Sequence, residues 1–168
     1  WELQMLIKAR VTAGDRTTGV ALLDYCETLI YSTTLDFSAI EVMSATRDRL
    51  DEKLAARRPG KNELDVKLMR GGIRDIEFLV QCLQRLHGGR FPWLRHGGTM
   101  LALSRLRDKG LISATEYWRL ASAYQFLRNL EHRLQFWEDR QTHTLPAQAD
   151  QLARLARNMP PQPGVEPN

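Results

Sequence analysis

Cysteine is scarce, with only Cys26 and Cys82 in 168 residues. Two cysteines cannot build a disulfide framework, and they read as small core residues in a reducing, cytoplasmic compartment. No apolar run approaches the roughly 20 residues that a membrane helix needs. The opening WELQMLIKAR lacks the basic-then-apolar layout of a signal peptide, so no membrane association is expected. Charge of one sign is also in short supply. Twenty-four Lys and Arg stand against 20 Asp and Glu, a net +4, where nucleic-acid-binding domains concentrate far more positive charge. No nucleic-acid partner is therefore expected. His87, His96, His132 and His143 lack metal-ligand spacing, so no metal site is assigned. A Gly-x-Ser-x-Gly elbow is missing, which removes the usual hydrolase nucleophile. No repeat of solenoid length occurs. The chain starts at Trp1, not Met, and the expectation is a piece of a longer protein.

The remaining composition, 43% hydrophobic and 26% charged, is that of an ordinary globular domain. Apolar periodicity predicts a mainly α fold, a helical bundle. Residues 1–12 read as the end of a helix leaving a neighbouring domain, 13–158 as the bundle, and 159–168 as a Pro-rich frayed tail. Helices are expected over 17–31, from Ser38 to about Leu54, and over 73–87, 99–109, about 114–139 and 148–158. The one from Ser38 to about Leu54 is closed by Pro59-Gly60. Ser113 and Glu116 have the spacing of a capping box. Leu64 to Met69 alternates apolar and polar residues, which predicts one short strand or hairpin. A lone strand needs a partner, so it is expected to pair locally or to join a sheet elsewhere.

The most unusual stretch is DVKLMRGGIRDIEFLVQ, Asp65 to Gln81. Extended backbone, two glycines and a helix start are the parts of an anion site, where free N–H groups and the helix dipole favour phosphate. Lys67, Arg70 and Arg74 add positive charge around Gly71 and Gly72. At about 100° per residue, Ile76, Leu79, Val80, Leu83 and Leu86 share one face, and Arg74, Glu77, Gln81 and Gln84 the other. The competing reading is a tight turn, with Asp75 complementing the helix dipole. The pattern is neither a P-loop nor a dinucleotide fingerprint, because the Gly-Lys-Ser/Thr and the third glycine are missing. A second candidate is the polar stripe Arg128, Glu131, His132, Gln135 and Asp139. It either lines a cleft or is simply a solvated helix face.

Five stretches occur in a telling order: KARVTAGD (Lys8–Asp15), the Asp65–Gln81 segment, HGGRFPWLR (His87–Arg95), FLRNLEHRLQ (Phe126–Gln135) and DRQTHTLP (Asp139–Pro146). Together they resemble the bifunctional glutamine synthetase adenylyltransferase/adenylyl-removing enzymes over about residues 1–146. The loop after His87 and the last stretch resemble the amino-terminal, adenylyl-removing half more than the other. The resemblance implies a nucleotidyltransferase domain followed by a helical bundle. One half of such an enzyme transfers AMP from ATP to a tyrosine of glutamine synthetase; the other removes it by phosphorolysis, giving ADP. It further implies Mg²⁺ and ATP or ADP as cofactors of the full-length parent, and control by PII signal proteins. The family's Gly-Ser-x-Asp-x-Asp metal motif does not occur here. No catalytic residue and no metal ligand is therefore assigned to this chain, which is expected to be inactive alone. Lys67, Arg70, Gly71, Gly72, Arg74, Asp75 and Glu77 become a nucleotide- or phosphate-facing cleft group, with Arg128, Glu131 and His132 as further cleft-lining residues. The expected partners are glutamine synthetase, PII proteins and the missing nucleotidyltransferase domain.

Two alternatives stay open. One is a non-catalytic helical module that binds glutamine synthetase or PII. The other is a PII uridylyltransferase-like relative, which has a similar Gly-Gly-x-Arg-Asp stretch; DRQTHTLP argues against it. Residues 61–110 hold ten Lys and Arg against five Asp and Glu, so the basic excess sits around the glycine motif. That balance suits a phosphate-bearing ligand or an acidic protein partner.

Overall fold

The computed structural model describes residues 2–31, 41, 45, 64–138 and 141–160. Of the helix expected from Ser38 to Leu54 only positions 41 and 45 are described, and the Pro59-Gly60 breaker, Asp139 and the tail from Pro161 lie outside the described residues. The described chain is mostly helical: α1 (Glu2–Leu6), α2 (Arg16–Ile30), α3 (Ile73–Gly88), a 3-10 turn (Pro92–Leu94), α4 (Thr99–Asp108), α5 (Ala114–Glu138) and α6 (Ala149–Arg157).

Two compact units emerge. One holds Trp1–Arg57 and Glu77–Ala121, the other Arg58–Ile76 and Ser122–Asn168. In the first unit, α1 packs on α2, burying Ile7, Ile30 and Tyr31, with Leu3 and Cys26 against them. The α2 helix starts where Asp15 accepts the N–H groups of Thr17 and Thr18 at 3.3 and 2.9 Å. These N–H groups are orphans of the first turn, and the side chain satisfies them. The Thr18 hydroxyl, which also donates to this carboxylate, and the two backbone bonds hold the Asp15 carboxyl below its usual range. A second core gathers Val80, Leu94, Ala102, Leu103 and Leu106, with Leu83, Phe91, Met100 and Tyr117 packed around it.

Gln84 lies on the α3 face expected to be polar, yet it is buried. Its Nε2 donates to the carbonyls of Leu94 and His96 at 2.7 and 2.8 Å. It thereby satisfies two loop carbonyls, which an apolar residue could not do. Leu79, expected on the apolar face, is 42% exposed. The HGGRFPWLR loop is held by Arg95. Its Nε donates to the Gly88 carbonyl at 3.0 Å, it pairs with Glu27 at 2.9 Å, and it stacks over the Tyr31 ring.

The expected strand over 64–69 is not formed. Asp65 makes one isolated antiparallel bridge with Thr144. The Val66 N–H donates to His143 O at 2.9 Å, and the Leu145 N–H to Leu64 O at 2.8 Å. Beyond Asp65 the chain turns at once. The Asp65 carboxylate accepts the N–H groups of Lys67 and Leu68 at 3.0 and 2.8 Å. Aspartate offers the backbone this local alternative to a ladder. The single bridge therefore finds its partner inside this chain.

Candidate functional site

The second unit contains the Arg-Gly-Gly-Ile-Arg-Asp turn. Gly71 sits at φ +77°, a left-handed conformation that glycine adopts without steric cost. Gly72 is needed for a different reason: a Cβ there would lie 2.8 Å from both the Met69 and Val66 carbonyl oxygens. Those carbonyls are held in place by hydrogen bonds. Gly72 N–H donates to Met69 O at 2.9 Å, Ile73 N–H to Val66 O at 3.1 Å, and Arg74 N–H to Lys67 O at 3.1 Å. The Asp75 and Ile76 N–H groups donate to Gly72 O, and Gly71 N–H donates to the Asp75 carboxylate at 2.7 Å.

Every backbone N–H from Gly71 to Ile76 is thus used within the chain. The expectation of free N–H groups for an anion at this helix start is not met. Asp75 closes the turn through its bond to Gly71. What the turn offers a ligand is side-chain charge: Arg70 is exposed and Arg74 half-buried.

Beside this turn the structure gathers a charged cluster around Glu131, whose side chain is 1% exposed. Lys67 Nζ stands 3.3 Å from its Oε1 and His143 Nδ1 3.1 Å from the same atom, while Arg128 hydrogen-bonds Oε2. Oε1 and Nδ1 lie within ion-pair distance without the alignment of a hydrogen bond. A buried carboxylate is costly unless paired, and these groups supply the pairing. The Lys67 and Arg128 side chains remain 40% and 38% exposed, so two cations offset one hidden carboxylate and still reach solvent.

Of the residues expected from sequence, Lys67, Arg128 and Glu131 come together, and the Lys67 carbonyl joins them to the Gly71-Gly72 turn by accepting the Arg74 N–H. His132, one position along α5, is exposed and outside the cluster. Glu77 belongs to the other unit, where it pairs with Lys8 at 2.9 Å. His143 was missed as a member. Its signal was its place in the DRQTHTLP stretch, next to Thr144. Among the described residues no three His, Cys, Asp or Glu side chains are grouped to hold a metal ion. No described helix is long and apolar enough to cross a membrane.

Comparison with known proteins places the chain in a family. Residues 43–166 match the family model described as GlnD PII-uridylyltransferase. A bifunctional glutamine synthetase adenylyltransferase/adenylyl-removing enzyme from Brucella melitensis is 39% identical over 95% of this chain. Enzymes of the same name from Mesorhizobium japonicum and Hahella chejuensis are 40% and 37% identical over 93% of it. The chain belongs to the bifunctional glutamine synthetase adenylyltransferase/adenylyl-removing enzyme family. It spans about 16% of the length of these relatives. The uridylyltransferase family model is consistent with that membership, and its span includes the Arg70–Asp75 turn and the whole Glu131 cluster.

Proposed function

We propose that this chain is the helical part of an enzyme that adenylylates and deadenylylates glutamine synthetase, and that it forms one wall of the nucleotide- or phosphate-bearing cleft. The observation that carries the reading is the Glu131 cluster. A buried carboxylate anchors Lys67 and Arg128 while both stay open to solvent, and the Lys67 carbonyl, which accepts the Arg74 N–H, ties the cluster to the glycine turn that carries Arg70 and Arg74. Cations held in place lose less freedom on meeting phosphate oxygens, and bonds to a charged acceptor are among the stronger ones. The backbone N–H groups take no part, so recognition falls to these side chains.

On this reading the carboxylates, Mg²⁺ and the bound ATP or ADP belong to a neighbouring nucleotidyltransferase domain. Glutamine synthetase is the protein substrate, PII proteins are the regulators, and the compartment is the cytoplasm. The isolated chain is inactive. The test is Lys67→Met and Arg74→Met in the full-length protein, with deadenylylation followed at varied phosphate. The expected outcome is a fall of about tenfold or more in kcat/KM, the loss of one charge-assisted contact. Binding of glutamine synthetase should stay unchanged. Unchanged turnover with weakened glutamine synthetase binding would favour a purely interacting module instead.

A further inference from the structure

A second feature of the same unit lies outside the cleft group and does not depend on the reading above. The end of α5 and the helix α6 border an open concavity of about 600 Å³, lined by Arg133, Phe136, Trp137, Arg154, Leu155 and Arg157, together with Asn158. Three arginines line it, and no described lining residue is acidic. None of the three arginines forms an ion pair among the described residues, unlike Arg128, whose charge Glu131 offsets. Arg154 lies over the Trp137 ring with its Cζ 5.0 Å from the centroid, so its planar fork is already oriented. Phe136 is 83% and Trp137 39% exposed, while Leu155 is buried beneath.

We propose that this concavity binds a small polyanion carrying a flat aromatic ring, of the nucleoside di- or triphosphate class. Arginine forks suit phosphate oxygens bidentately. The exposed Phe136 ring offers a stacking face for a base. The volume lies in the range of small-ligand pockets, about 300–1,000 Å³. Placing Arg154 and Arg157 in the last turn of α6 satisfies that helix's dipole, but it does not explain Arg133, which arrives from α5 to the same place. Three like charges brought to one concavity by two helices suit an anion there.

The test is photolabelling of the full-length protein with 2-azido-ADP, followed by mapping of the labelled peptides. Label is expected in the peptides spanning 133–137 or 149–158, and inorganic pyrophosphate should compete it away. An Arg154→Ala/Arg157→Ala double variant should lower labelling there at least tenfold and leave label at other peptides unchanged. Arg133→Ala, on the other helix, should act in the same direction. Phe136→Ala should weaken ADP labelling severalfold without changing the pyrophosphate concentration needed to compete. All four substituted side chains are exposed, and thermal melting checks that each variant is folded. Absence of label from both peptides at saturating probe would overturn the proposal, as would labelling unaltered in the double variant. So would crosslinking of a glutamate-rich peptide at this surface in the absence of any ADP label, which would assign it to an acidic protein partner.

Discussion

Glu131→Gln is the most informative single change, because it keeps the shape of the side chain and removes only the charge. At the observed 3.3 Å, the Lys67–Glu131 attraction is about 5 kcal/mol at an effective dielectric of about 20, and little more than about 1 kcal/mol in water. Lys67 is 40% exposed, so its share lies between these limits. The Arg128 bond adds roughly 1.5–3 kcal/mol as a charge-assisted contact. Burying the carboxylate costs several kcal/mol in the opposite direction. Breaking a fully buried pair typically costs about 3–5 kcal/mol, but Lys67 and Arg128 can turn outward and rehydrate. The expected loss for Glu131→Gln is therefore about 2–3 kcal/mol. In urea denaturation this appears as a midpoint lowered by about 1 M or more with an unchanged slope. Glu131→Ala should lose more, since it leaves a cavity as well. A double-mutant cycle of Glu131→Gln with Lys67→Met should give a coupling of about 1 kcal/mol. If Glu131→Gln unfolds within about 0.5 kcal/mol of the parent, the cluster does not stabilise this unit and the argument for a pre-positioned Lys67 fails.

Two other outcomes follow from the same geometry. Gly72→Ala forces a Cβ to 2.8 Å from two carbonyls already engaged in the turn, and should cost about 2–3 kcal/mol by the same denaturation assay. Gly71→Ala meets open space and carries only the left-handed penalty of about 1 kcal/mol, so the reverse order would refute the turn as described. His87 has its pKa lowered from 6.5, first by burial and then by the neighbouring Arg90 charge. The unfolded chain therefore binds its proton more readily, and stability should be fully present above about pH 6.5 and decline as pH falls toward the folded-state value. His87→Gln should flatten that slope between pH 7.5 and 5.5; an unchanged slope would show that His87 is not its source.

The helices were legible because their signals are local. Ser113 and Glu116 form the reciprocal capping box read from their spacing: Ser113 N–H donates to the Glu116 carboxylate at 2.7 Å, and Glu116 N–H to Ser113 Oγ at 3.2 Å. Asp15 starts α2 for the same local reason. The misread strand fails by the same logic. Five alternating residues are too few to separate a strand from a turn, and the deciding group was the Asp65 carboxylate, whose bonds to the next backbone N–H groups fold the chain away from extension. The alternation described where apolar atoms fall, while the backbone followed its nearest acceptor.

The candidate site divides along the same line. Its glycine turn was conspicuous in the sequence, but the reason for the glycines was hidden. They permit carbonyls to crowd around a closed set of hydrogen bonds, rather than opening N–H groups to an anion. Glu131 was the reverse case. On helical spacing it belongs to a polar stripe with Arg128 and His132, and nothing local distinguishes it from a solvated glutamate. Lys67 and His143 make it a buried anchor, and both come from segments far from it in sequence. Gln84 repeats the pattern, since two carbonyls from the following loop turn a polar helix position into a core one. Periodicity reports the average environment of a helix face. A buried charge or amide departs from that average only when remote groups arrive to satisfy it. The residues that best define this site are therefore those whose partners lie in other segments. For Lys67 and Arg128 the consequence is positional: a carboxylate that solvent does not reach holds two partly exposed cations in place.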